Sequence, residues 1–229
     1  MIEDPPLLTI RRNFPRPTPE QVAALTGAQT GWVVDCLDGR GALDGRIKPI
    51  DPDAAGFCGV ALPCHAGPAD NLAVFGALDA AHAGDVILIG TDGFAATAVI
   101  GDLVQGMARN RGVAAVVTDG CVRDVAGLRA VGLPCFAAGV TPNSPARNGP
   151  GTVGLPVTLG SVTVAAGDLV VGDLDGVVVV PFARIDAVIA RLAALRAAEA
   201  ELEAKVKAGL EVPDFVQGLL SSDKVREVD

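Results

Sequence analysis

The chain has 229 residues, enough for one large domain with a sizeable core; half of them are hydrophobic, yet aromatics make up only 3% and tyrosine is absent. Its net charge of −9 argues against a nucleic-acid surface, which needs clustered lysine and arginine to displace counterions, but leaves binding to a basic protein open. The five cysteines (Cys36, Cys58, Cys64, Cys121 and Cys135) form no C-x-x-C pair, which argues against zinc or iron–sulfur binding and points to buried free thiols in a reducing compartment.

Residues 1–17 are proline-rich and read as an arm. They show no signal-peptide order, and no apolar run reaches membrane-spanning length, so a cytoplasmic protein without a membrane partner is expected. Thr18-Pro19-Glu20 is a helix start, with a Thr cap, Pro at the first helical position and an acid near the positive end of the dipole. A short helix to about Leu25 follows. Residues 31–35 read as a strand and 37–56 as irregular. Residues 58–63 form a candidate strand. Leu72, Phe75, Leu78 and Ala81 carry helical spacing over 71–82. Residues 86–89 then read as a buried strand, 102–111 as a helix stopped by Gly112, and 113–117 as a strand leading into Asp119-Gly120. A short helix over 124–131 and a strand over 135–138 come next, then a loop over 141–151 rich in Pro, Asn and Gly. From there to Pro181 the chain reads mostly as β. A long Ala- and Leu-rich helix over 183–207 is broken at Val212-Pro213, leaving a polar tail. The expected organisation is an arm (1–17), one domain (18–210) and a tail (211–229), with no internal repeat. Alternating strands and helices predict an α/β fold.

The densest chemistry lies in GDLVQGMARNRGVAAVVTDGCVRD, residues 101–124. Asp102 is separated from Arg123 by twenty residues, and Asp124 follows at once. A helix start and a later strand end can therefore meet, bringing together two carboxylates and a guanidinium. Carboxylates suit a hard divalent cation, and a guanidinium fork suits a carboxylate or enolate oxygen. The alternative is an ordinary surface ion pair. A helix opening at Asp102 also leaves its first amides, those of Leu103 and Val104, free for an anion, whether or not Asp102 serves as the cap. No Walker loop and no GxGxxG after a strand is present, which argues against ATP, NAD and S-adenosylmethionine.

The D-x20-R-D spacing, opened by Gly101-Asp102 and closed by Asp119-Gly120 and Val122-Arg123-Asp124, resembles the class II pyruvate aldolases that cleave 4-hydroxy-4-methyl-2-oxoglutarate. That group lies within the wider family containing the regulator of ribonuclease activity A. Asp70-Asn71-Leu72, Gly84-Asp85-Val86, Gly132-Leu133-Pro134, the run from Gly167 to Asp173 and the run from Asp175 to Pro181 extend the resemblance over roughly residues 20–205.

The resemblance implies a three-layer β/β/α sandwich of the swivelling-domain type, assembled as a homotrimer or homohexamer. It implies a small 2-oxo acid substrate and Mg²⁺ or Mn²⁺ as cofactor. Asp124 would be the direct metal ligand and Asp102 would hold metal-bound water. Arg123 would contact the carboxylate or 2-oxo oxygen and stabilise the enolate. Gly101, Leu103 and Val104 would line the substrate site. Glu199 of the long helix would reach a neighbouring subunit's site, with Glu201 and Glu203 as competitors and a solvated helix face as the alternative for each. Asn71 would contact substrate or order water, or simply cap a helix. Arg147 would meet a distal carboxylate or remain a solvated loop residue. His65 and His82 read as structural. The implied activity is cleavage of 4-hydroxy-2-oxo dicarboxylic acids to pyruvate, with oxaloacetate decarboxylation alongside. The competing reading is a non-enzymatic regulator that binds ribonuclease E. Gly127 departs from the pattern, because some aldolase-like members carry an acid there.

Overall fold

A computed structural model describes residues 4–228. The strands are β1 (Leu8–Ile10), β2 (Lys48–Pro49), β3 (Phe57–His65), β4 (Asp85–Gly90), β5 (Ala98–Ile100), β6 (Ala115–Thr118), β7 (Cys121–Val122), β8 (Cys135–Ala137), β9 (Gly139–Val140), β10 (Gly151–Val153), β11 (Val157–Leu159), β12 (Val162–Val164), β13 (Leu169–Asp173) and β14 (Gly176–Val180). The α-helices are α1 (Pro19–Leu25), α2 (Thr30–Cys36), α3 (Leu72–Ala80), α4 (Asp102–Asn110), α5 (Val125–Val131), α6 (Ile185–Lys207) and α7 (Asp214–Leu220).

The main sheet runs β1-β10-β3-β4-β6-β8-β2, with β13 also paired to β3 and β14 to β13. Its centre, β3-β4-β6-β8, is parallel. Such strands are covered on both faces and read as continuous apolar runs. Leu62, Ile87, Ile89, Val116 and Cys135 pack against α3, α4 and α5 on one face. Ala61, Val86, Leu88, Val117 and Phe136 turn to the other, where β11–β14 cover them through Leu159, Val164, Val170 and Val179. The outer faces of β13 and β14 bury Leu169, Val171, Val178 and Val180 under α1, α2 and α6. This is the expected α/β sandwich in one domain with a long C-terminal helix. Small and branched residues fill it almost alone; Phe57 and Phe136 supply one edge-to-face pair with centroids 5.4 Å apart.

The first helix starts as the residues dictate. Thr18 Oγ1 accepts the Gln21 amide at 3.3 Å and Gln21 Oε1 accepts the Thr18 amide at 2.9 Å, a complete capping box. Residues 31–35, expected as a strand, belong instead to α2. The run Trp32-Val33-Val34 has strand-like composition, but helical spacing buries Val33, Cys36 and Leu37 beside α6. Its first turn is held from afar, since Asp173 accepts both the amide and the hydroxyl of Thr30 at 2.8 Å. The buried face of α3 is also displaced from the predicted one: Ala73, Val74, Ala77 and Leu78 are interior, while Leu72 and Phe75 are only partly covered.

Three further differences concern short elements. The arm contains β1, paired in parallel with β10, and Arg16 within it pairs with buried Asp85. The tail contains α7. A separate parallel sheet, β5-β7-β9, was not anticipated from the sequence, and it is the one that builds the site. No described helix is long and apolar enough to cross a membrane.

Candidate active site

Strands β5 and β7 are parallel neighbours, with Ala98 opposite Cys121 and Ile100 opposite Val122. The chain leaves β5 at Gly101, runs through α4 and β6, turns at Asp119-Gly120 and returns along β7 to Arg123. The twenty residues between Asp102 and Arg123 are thus one crossover, and the two ends of the motif emerge side by side. The Arg123 amide donates to the Ile100 carbonyl at 3.1 Å and locks that register.

A cleft of about 160 Å³ opens there, lined by Asn71, Gly101, Asp102, Leu103, Val104, Arg123, Asp124, Ser144 and Arg147, among others. Every substrate- or metal-binding residue expected from the sequence faces this one cleft. Glu199 does not: it lies on α6, which packs beside α1 and α2 within the same chain. His65 pairs with Asp92 at 3.0 Å, and neither histidine lines the cleft.

The start of α4 leaves its first amides free beside the cleft. Gly101 is the N-cap and offers no side-chain acceptor, so Asp102 sits at the first helical position rather than at the cap. The Gln105 amide takes the Gly101 carbonyl, while the amides of the preceding turn have no intrahelical partner. They and the positive end of the helix dipole border the cleft.

Asp124 has φ 61° and ψ 45°, a left-handed conformation that costs a non-glycine residue about 1–2 kcal/mol. The bond from the Leu128 amide to its carbonyl and the start of α5 hold it there. Its Oδ2 lies 3.4 Å from Arg123 Nε, and Arg123 Nη1 donates to Ser144 Oγ. Both charged side chains remain 37–43% exposed, so the pair adds little stability; its consequence is orientation.

Two glycines make the close approach possible. A Cβ on Gly101 would overlap Asp124 Oδ2, and one on Gly127 would overlap Asp102 Oδ2 and stand 2.6 Å from its Cβ. An acid at position 127, which the resemblance allowed for, therefore has no room in this arrangement, because the Asp102 carboxylate already occupies that space.

The roof comes from the loop between β9 and β10. Asp70 Oδ2 accepts the amides of Asn148 and Gly149, the Asn71 amide donates to the Ala146 carbonyl, and the Ala146 amide donates to the Ala69 carbonyl. This brings Arg147 over the Phe75 ring, its guanidinium carbon 4.9 Å from the centroid. Asn71 is only 3% exposed; its Nδ2 donates to the Val99 carbonyl at 3.1 Å, while Oδ1 is buried and accepts no bond among the described residues. Ser144 was not singled out in the sequence, and Asp70 only as part of the resemblance and without a role, since both act through a loop whose path is set by tertiary contacts.

Among the described residues, no group of three or more His, Cys, Asp or Glu side chains could enclose a metal. The donors at the cleft are nonetheless oxygen only: the Asp124 and Asp102 carboxylates and the orphaned Asn71 Oδ1. Such a set fits a hard cation like Mg²⁺ or Mn²⁺, which keeps several waters and takes one or two carboxylates.

Comparison with known proteins places the chain in a family. Residues 30–179 match the model of the RraA-like family, described as Aldolase/RraA. A protein of Halalkalibacterium halodurans named "Putative 4-hydroxy-4-methyl-2-oxoglutarate aldolase" is 39% identical over 152 residues, 66% of this chain and 72% of that protein. Among solved structures, the RNA-processing inhibitor RraA of Thermus thermophilus is 30% identical, with TM-score 0.62 over 67% of this chain and 93% of that one. RraAS2 of Streptomyces coelicolor is 27% identical, with TM-score 0.73 over 84% of this chain and 100% of that one. An uncharacterised protein of Pseudomonas syringae shares the fold at 23% identity, with TM-score 0.76 over 86% and 96% of the two chains. With the family model matched over more than half of its length, the chain belongs to the RraA-like family of aldolases and RraA proteins.

Proposed function

We propose that this protein is a divalent-metal-dependent lyase that cleaves 4-hydroxy-2-oxo dicarboxylic acids, such as 4-hydroxy-4-methyl-2-oxoglutarate, to pyruvate, and that it also decarboxylates oxaloacetate. The observation that carries this reading is the meeting of the α4 start, Arg123 and Asp124 in one cleft. Mg²⁺ or Mn²⁺ held by Asp124, with Asp102 ordering its water, would supply Lewis-acid polarisation of the 2-oxo acid.

The remaining work falls to the chain's own groups. The amides of Leu103 and Val104 receive the 1-carboxylate. Arg123, steadied by Ser144 and Asp124, presents fixed positive charge to the 2-oxo oxygen. As the C3–C4 bond breaks, its electron pair forms the pyruvate enolate and C4 becomes a carbonyl. Preorganised donors at such an oxygen are worth about 3–4 kcal/mol each in water-poor sites. The C4 hydroxyl must lose its proton in the same step, and the Asp102 carboxylate, which accepts no protein hydrogen bond among the described residues, takes it through an ordered water. Protonation of the enolate at C3 completes pyruvate. Loss of CO₂ from oxaloacetate passes through the same enolate. Arg147 over Phe75 meets the distal carboxylate, and Asn71 Oδ1 accepts from the hydroxyl or from a water. We further propose that a homotrimer or homohexamer covers the exposed Leu103, Met107 and Val140 beside the cleft and brings Glu199 of one subunit toward another's site.

Purified protein with Mn²⁺ should release pyruvate from both substrates, and a chelator should stop it. No pyruvate from either substrate, with or without metal, would instead favour the second reading, a regulator that binds ribonuclease E. Two things support that second reading: the 30%-identical structure titled as an RNA-processing inhibitor, and the acidic charge, which suits a basic partner.

A further inference from the structure

We propose that Gly101 and Gly127 are reciprocal positioning residues: each leaves a notch, by lacking a side chain, into which the other helix start sets its carboxylate. Gly101 precedes Asp102 at the start of α4, yet the space above it holds Asp124 Oδ2. Gly127 follows Asp124 in the first turn of α5, yet the space above it holds Asp102 Oδ2. The arrangement is crossed, so the position each acid takes here depends on the glycine of the other segment.

The two notches differ in stiffness. At Gly101 the overlapped atom is the end of the Asp124 side chain, with Arg123 Cγ and Nε at 3.1 and 3.3 Å, so an added methyl turns the carboxylate away and disturbs its pairing with Arg123. At Gly127 the methyl would also meet Asp102 Cβ at 2.6 Å and Cγ at 2.8 Å. A rotamer change cannot relieve that; the starts of α4 and α5 have to move apart. The free amides of α4 would shift relative to Asp124, so the notch sets both the spacing of the two acids and the aim of the anion site. Gly106, on α4 itself, has nothing within 4 Å of an added Cβ and serves as the control.

This inference rests on the reading that Asp102 and Asp124 serve a cation, and the test separates the two. Mn²⁺ binding to the full chain is measured by calorimetry, and thermal midpoints without metal, for wild type, G106A, G127A, D102G and D102G/G127A. G127A should raise the Mn²⁺ Kd about tenfold or more, the range seen when groups that orient metal ligands are lost, while G106A leaves it unchanged. In the D102G background G127A should add less than about a twofold change, because its effect passes through that side chain. An unchanged or tighter Kd in G127A, or the same loss in both backgrounds, overturns the proposal. If wild type binds no Mn²⁺, the cation reading fails, and the notch is judged on stability alone. G127A must then lower the midpoint of the wild-type chain but not that of D102G; equal lowering in both backgrounds overturns it. If G127A does not fold, D102G/G127A must fold, and an equally unfolded double variant has the same consequence.

Discussion

Asn71 and Val99 are joined by a hydrogen bond that leaves half of an amide unused: Nδ2 donates to the Val99 carbonyl at 3.1 Å, while Oδ1 is buried in the cleft wall without a protein partner among the described residues. A buried acceptor left unpaired costs about 1–3 kcal/mol, which is sensible at a place where a ligand or water completes it. Asn71→Ala should therefore change the thermal midpoint little while lowering kcat/KM about tenfold or more. A large loss of stability with unchanged turnover would show that the side chain is only structural.

Arg123 touches Ser144 and Asp124 through different nitrogens, so its fork is held and not merely charged. Arg123→Lys keeps the charge but loses that geometry, and kcat should drop about 100-fold or more. Mn²⁺ binding should survive in this variant and disappear in Asp124→Ala. Steady-state kinetics with a parallel Mn²⁺ titration distinguishes the roles.

Asp70 straps the roof of the cleft, because its carboxylate accepts the amides of Leu72, Asn148 and Gly149. In Asp70→Ala those donors turn to water and the loop carrying Ser144 and Arg147 loosens. A stability loss of about 1–3 kcal/mol is expected, together with a KM that rises more than kcat falls. Denaturant unfolding and initial rates measure the two effects; an unchanged KM would mean the loop does not hold substrate.

Asp85 is buried, pairs with Arg16 and accepts the His82 amide at 2.9 Å. Removing one partner of a buried pair is costly, so Asp85→Ala should destabilise by about 3–5 kcal/mol. The arm should become open to limited proteolysis at the same time.

Burial pushes the Cys64 and Cys135 thiols up to about 12 from an ordinary 9.0. The folded chain then holds two protons that the unfolded chain releases. Stability should be fully present below about pH 9 and fall by about 1.4 kcal/mol per thiol per pH unit as the pH rises toward 12. Urea midpoints at pH 8 and pH 10 measure the slope, and Cys64→Ala with Cys135→Ala should reduce it to what remains from Cys58, which burial raises to about 11.

Sequence patterning served well where an element is long and buried by its own residues. The apolar run of β4, the helix α4 with Gly112 at its end, and the Thr18-Pro19 start of α1 were all legible, because local propensity and burial agree there. The spacing of Asp102, Arg123 and Asp124 already implied a meeting of two chain ends. It failed where a distant group decides. Valines 33 and 34 suggested a strand, but Asp173 at the first turn and the cover of α6 made α2 a helix. Strands β5, β7 and β9 have two or three residues each, too few for any period to show, and exist only because they pair with one another.

The sequence by itself determined the α/β class, the family and the charged residues that line the cleft, since these rest on residue type and spacing along the chain. Only the tertiary structure decided that Gly127 makes room for the Asp102 carboxylate, that Asp70 draws Ser144 and Arg147 over the site, and that Asn71 keeps an unpaired oxygen. Each of those depends on volume and direction between segments far apart in the chain, and close packing settles such matters only once the whole core has formed.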